Sequence, residues 1–229
     1  MNYSNEIIQD HLAKLADPTV AYFHARRLSE IGREAIPLLC ETLQKTARNP
    51  TEPSYGMTAW IIKALRDIGS EAVAPLLELL EDPNAQVRWA AASALSKIET
   101  EEHISALSDV LLKDPNPNVR WMAATALCPY IHKTRVLETY LQAVLDSSPF
   151  VRWLVISSLS QVPDPSFELF LAIANALKDS DEKIRNYALN ALNEIPKPFS
   201  FLYQLSKEDE QLFRSLCMLF DEEYLIKKK

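Results

Sequence analysis

Asp82-Pro-Asn-Ala-Gln-Val-Arg88-Trp89-Ala-Ala-Ala-Ser-Ala-Leu95 returns as Asp114-Pro-Asn-Pro-Asn-Val-Arg120-Trp121-Met-Ala-Ala-Thr-Ala-Leu127, and again as Asp146-Ser-Ser-Pro-Phe-Val-Arg152-Trp153-Leu-Val-Ile-Ser-Ser-Leu159. A fourth copy opens at Asp179, with Ile184-Arg185 in place of Val-Arg and Ala191-Leu192 at its close. The four aspartates stand 32, 32 and 33 residues apart. Self-similarity at such a period marks an architecture in which each unit buries its apolar face against its neighbours.

The closing leucine carries the register toward the N-terminus, where Leu28 and Leu65 precede Leu95, Leu127, Leu159 and Leu192. The two early copies keep the apolar spacing (Val20, Leu28, Ile31; Met57, Ile61, Leu65, Ile68) but lack the Asp and the Arg. Second apolar segments, such as Ala35-Ile-Pro-Leu-Leu39 and Ala72-Val-Ala-Pro-Leu-Leu-Glu-Leu-Leu80, lie between copies. Each copy therefore predicts two helices. In the better-marked helix Val87, Ala91, Ala94, Leu95 and Ile98 share one face, and its alanines admit a close neighbour. Pro37 and Pro75 fall where a first helical turn tolerates a missing N–H. The Asp-Pro step predicts a turn with the aspartate capping the following helix. Gly32 and Gly69 fall just past apolar stripes, where a helix end calls for a left-handed residue.

These residues resemble the HEAT repeats, in particular the short subtype first associated with phycobilin lyases. The resemblance covers about residues 5–195 and is strongest from Asp82 onward. It implies an all-α fold, a right-handed α-α superhelix of about six to seven helix pairs. The expected organisation is a single solenoid over 1–229, with degenerate repeats at about 5–69 and regular repeats at about 70–195. A C-terminal cap at about 198–226 would cover the last apolar face. The resemblance also implies a ladder of hydrogen bonds between successive repeats, built from the turn aspartate and the arginine six residues later. Here those positions are Asp82 and Arg88, Asp114 and Arg120, Asp146 and Arg152, and Asp179 and Arg185.

The residue after each ladder arginine opens the functional question. At ~100° per residue, Trp89 lies ~200° from Val87, away from the apolar stripe. Because these second helices line the inner curve in the family, Trp89, Trp121 and Trp153 are expected to form a ridge along a concave groove. The same register places Tyr22, Ala59 and Asn186 in the tryptophan column. One turn later it reads Arg26, Lys63, Ser93, Thr125, Ser157, Asn190, and then Ser29, Arg66, Ser96, Cys128, Ser160, Asn193. The groove is thus expected to be basic at its N-terminal end, aromatic in the middle and amide-rich beyond. Glu71, Glu78, Glu101 and Glu102 are expected on the other helices.

Composition removes several alternatives. The chain has 229 residues, 48% hydrophobic and 24% charged, and can build a substantial core. Three glycines argue against a turn-rich β fold and against a glycine-rich phosphate loop. A net charge of −7 makes nucleic acid an unexpected partner. Cys40, Cys128 and Cys217 are odd in number and far apart, so neither a disulfide framework nor a zinc site is expected, and a cytoplasmic location with reduced thiols is. The N-terminus lacks the basic-then-apolar order of a signal peptide, and no apolar run approaches membrane-spanning length.

His11, His24, His103 and His132 have no metal-ligand spacing. The His-Glu pairs that hold iron in the related deoxyhypusine hydroxylases are absent. No metal, no cofactor and no catalytic residue is expected. The leading expectation is a non-catalytic scaffold or adaptor that binds a partner peptide or helix in the tryptophan-lined groove. A second is a phycobilin lyase subunit or related factor handling a bilin or its carrier protein, since Tyr55-Gly-Met-Thr-Ala-Trp60 resembles a stretch of such lyases. A third is a DNA glycosylase of the HEAT-like alkylation-repair type, which would need a catalytic Asp on a strongly basic inner face.

Overall fold

The computed structural model describes residues 4–49, 52–163 and 165–194, with the side chains of 52–55 and 194 left aside. Among the described residues the chain is all-α, without a strand. The cap expected over 198–226 lies outside them.

Among the described residues six helical hairpins follow one another: α1 (Asn5–Ala13) with α2 (Ala21–Ile31), α3 (Ile36–Arg48) with α4 (Glu52–Ile68), and α5 (Val73–Leu79) with α6 (Ala85–Leu95). These are followed by α7 (Ile104–Lys113) with α8 (Pro117–Leu127), α9 (Thr134–Ala143) with α10 (Pro149–Leu159), and α11 (Phe167–Asn175) with α12 (Glu182–Glu194). The chain divides into two compact bodies, 1–129 and 130–229. In the first, the second helices of successive hairpins pack in order, α2 on α4, α4 on α6 and α6 on α8. In the second, α10 packs on α12 and α9 on α11.

Apolar spacing explains this stacking. Leu28, Leu65, Leu95, Leu127, Leu159 and Leu192 are all buried at the closing position of the second helices. Ala90, Ala91, Ala92 and Ala94 are fully buried as well, so α6 is covered on most sides and its small residues let α4 and α8 come close. Gly32 (φ 72°, ψ −135°) and Gly69 (φ 85°, ψ −140°) end α2 and α4 in backbone conformations that a side chain would strain.

The turn aspartates do something other than cap. The Asp82, Asp114 and Asp146 carboxylates accept the N–H of the residue two further on, at 2.9, 2.8 and 2.7 Å. The N-caps of α6 and α8 are Asn84, accepting from Gln86 and Val87, and Asn116, accepting from Asn118. The aspartate sits three residues before the helix, too early to reach its first turn. It folds the turn instead and leaves carboxylate oxygen available for an arginine.

At the start of the chain, His11 and His24 face each other with their Nδ1 atoms 2.7 Å apart, so one ring donates and the other accepts. Burial, then the neighbouring His24, holds the His11 pKa below its usual value, against Asp10, which pulls it up; Arg27 and Lys14 add to the depression. The unfolded chain therefore binds more protons as pH falls below ~6.5, and stability is lost through the lowered His11 pKa. The urea midpoint is expected to be higher at pH 7.5 than at pH 5.5. Replacing both histidines with leucine should flatten that slope, and an unchanged slope would overturn the assignment.

Candidate functional site

The arginines that precede the tryptophans are structural clamps. Arg88 donates from Nε and Nη2 to the two oxygens of Asp114, at 2.7 and 2.9 Å, while Nη1 reaches the Asp82 carbonyl at 2.8 Å. Arg152 repeats this on Asp179 at 2.7 and 2.8 Å, with Nη1 on the Asp146 carbonyl. Arg120 and Arg185 donate to the carbonyls of their own turns, at Asp114 and Asp179. The bonds to Asp114 and Asp179 hold the Arg88 and Arg152 pKa values above normal. Burial pushes the Asp179 pKa up, but the Arg152 guanidinium and the Asp181 N–H outweigh it and leave it below its usual value.

Asp82 has no such arginine in the hairpin before it, because that copy is degenerate. Its carboxylate instead accepts from Arg48 Nη2 at 2.6 Å and Gln44 Nε2 at 3.0 Å, both on α3. Here too burial raises the pKa, and the Asn84 N–H, Gln44 and Arg48 together bring it below normal. Neither Arg48 nor Gln44 is marked by the repeat pattern.

With the arginines turned into the stack, the next residue faces away from it. Trp89 and Trp121, both half-buried, line a groove of about 580 Å³ in the first body. Thr46 and Ala47 of α3, Thr58, Ala59 and Ile62 of α4, Gln86 and Ser93 of α6 and Asn118 of α8 complete it. None of these side chains is ionisable. Thr58 donates to Thr46 at 2.9 Å across the α3–α4 hairpin. The lining extends one turn toward the helix N-terminus, to Gln86 and Asn118, rather than two turns the other way to Ser96 and Cys128. Side chains on a helix lean toward its N-terminus, so a tryptophan shares its surface with the residue three positions earlier.

At the N-terminal side of this body, Tyr22 is 57% exposed and meets Trp60 edge-on, with ring centroids 6.0 Å apart. Lys63 Nζ lies 5.7 Å from the Tyr22 ring centre and also pairs with Asp67. Arg26 pairs with Glu30 at 3.0 Å, and Arg66 lies 3.6 Å from Asp67. Each cation of the expected basic end thus has a carboxylate beside it. Glu101 and Glu102 lie in the turn before α7 rather than on a helix.

In the second body Trp153 is half-buried and meets Tyr187 at 5.6 Å, with the rings inclined at 67°. With Phe150, Lys183 and Asp181 they line a smaller pocket of about 330 Å³. Asn186 and Asn190 are exposed and do not line it. Phe150, which is 74% exposed, occupies the position held by Gln86 and Asn118 in the earlier copies.

Burial pushes the Cys40 thiol up to about 11, which makes it a poor nucleophile at neutral pH. Among the described residues no group of three or more His, Cys, Asp or Glu side chains is placed to hold a metal ion. Nor is any helix among them long and apolar enough to cross a membrane.

Stacked helical hairpins, tied by buried Arg–Asp pairs and presenting aromatic side chains on their second helices, define a helical-repeat protein. Residues 50–113 and 104–173 match HEAT repeats, more than half of the chain, which belongs to that family. No curated protein matches the chain. Solved structures similar to it include a designed armadillo repeat protein in complex with the peptide (KR)4. It is 20% identical, the match covers 84% of this chain and 100% of the other, and the TM-score is 0.47. A computationally designed armadillo repeat protein for modular peptide recognition is 20% identical over 83% and 99% of the two chains, with a TM-score of 0.48.

Proposed function

We propose that the chain is a non-catalytic scaffold that holds a protein partner, an extended peptide or a helix, against the groove of Trp89 and Trp121. The observation that carries this reading is the groove itself. Two half-buried indoles one repeat apart stand in a lining that, among the described residues, has no ionisable side chain. Tryptophan supplies large, rigid apolar area and is enriched at interface hot spots. The Gln86 and Asn118 amides beside them can both donate to and accept from a peptide main chain.

Replacing Trp89 and Trp121 together with alanine is expected to weaken capture of the native partner by at least about tenfold while leaving helix content intact. Equal capture by the folded double variant would overturn the reading. Unlike the ladder arginines, these side chains can be removed without exposing a buried charge.

One observation favours a second reading, a lyase-subtype factor that handles a bilin. Thr58 and Ala59, from the stretch that resembles such lyases, line this groove, and its volume lies within the range of small-molecule sites. A shift in bilin absorbance on mixing that is abolished in the tryptophan double variant would favour it over the scaffold reading.

A further inference from the structure

The second body carries a groove of a different character, far in composition from the tryptophan face. It is about 510 Å³ in volume, runs between α9 and α11, and has an aliphatic lining that includes Leu141, Val144, Leu145 and Leu171. Leu145 is 84% exposed. It stands immediately before the turn aspartate Asp146, and the equivalent residues before Asp82, Asp114 and Asp179 are Glu81, Lys113 and Lys178. A leucine left in water where every sister repeat places a charge is a departure from the repeat's own pattern. Together with the groove it forms an apolar surface of the sort that meets a partner.

The ends of the groove say which partner. Glu168, in the first turn of α11, and Lys178, just past its end, both line the groove and are both exposed. They lie about 15 Å apart along the helix. Asp179, at the same end as Lys178, is held by the Arg152 guanidinium, so its charge is already matched. A surface with a carboxylate at one end, an ammonium at the other and aliphatic side chains between is complementary to itself when turned end over end. In such an arrangement each Glu168 meets the Lys178 of the other copy, while the leucines meet in the middle.

We propose that this groove binds a second copy of the chain, giving a two-fold dimer with the two α11 helices antiparallel. Sedimentation equilibrium of the full chain across micromolar concentrations is expected to show the mass rising from 26.0 kDa toward twice that value. Leu145→Lys, which restores the charge that the sister repeats carry, should abolish the rise with helix content unchanged. Glu168→Lys and Lys178→Glu should each weaken self-association at least about tenfold, because each sets like charges together at both ends.

Mixing the two charge variants should restore dimerisation, since every end-to-end pair is then Lys with Glu. A parent chain that stays monomeric throughout, a Leu145→Lys variant that still dimerises, or a mixture no tighter than its components would each overturn the proposal. The test is independent of the Trp89 and Trp121 groove, which lies in the other body.

Discussion

Arg88→Ala is expected to lower the free energy of unfolding by about 3 kcal/mol, an effect on the scale of breaking a buried ion pair. The Arg88 side chain is 11% exposed and its partner Asp114 only 4%. Removing the guanidinium leaves a carboxylate out of water without its bidentate donor, and it also strips a donor from the Asp82 and Pro83 carbonyls. Arg88→Lys should recover only part of the loss, because a single ammonium cannot span both carboxylate oxygens. Lys113→Ala provides the contrast. Its pair with Asp109 is 73% and 48% exposed, and its loss should change stability by less than about 0.5 kcal/mol. Urea unfolding followed by helix content measures both. A loss below about 1 kcal/mol for Arg88→Ala would show that the rung behaves as a solvated surface pair.

The second large effect concerns leucines of identical chemistry in opposite surroundings. Leu127, at the closing position of α8, is fully buried, whereas Leu145 is 84% exposed. Leu127→Ala removes three carbons from a close-packed interior that relaxes only partly, and is expected to cost about 2–5 kcal/mol. Leu145→Ala removes the same atoms from water and should change the stability of the monomer by less than about 0.5 kcal/mol. Equal losses at the two positions would contradict the burial pattern on which the hairpin stacking rests.

The hairpins were legible in the sequence because apolar periodicity reports burial directly. The closing leucines, from Leu28 to Leu192, mark the inner side of every second helix. The direction in which the tryptophan surface extends was harder to read. That direction follows the backward lean of the side chains, so Gln86, Asn118 and Phe150 share it with the tryptophans. They could have been found by stepping three residues back from each indole. Arg48 offered no such signal. It reaches Asp82 from 34 residues away, on the first helix of a degenerate hairpin, outside any repeated position. Tyr187 was hidden for a related reason: its equivalents are Ala90, Met122 and Leu154, and none of them is aromatic.

The clamps described above have a consequence for how such a chain can change. Arg88 and Arg152 each grip the carbonyl of their own turn and the carboxylate of the following one, so hairpin spacing depends on residues adjacent to, but separate from, Trp89 and Trp153. Neighbouring letters of the same motif thus answer to different demands. One ties successive turns together, and the other stands half-buried at the face of a groove or pocket. Exchanging the second letter, copy by copy, would change the lining of those grooves while the arginine-to-aspartate ties within each body stay in place.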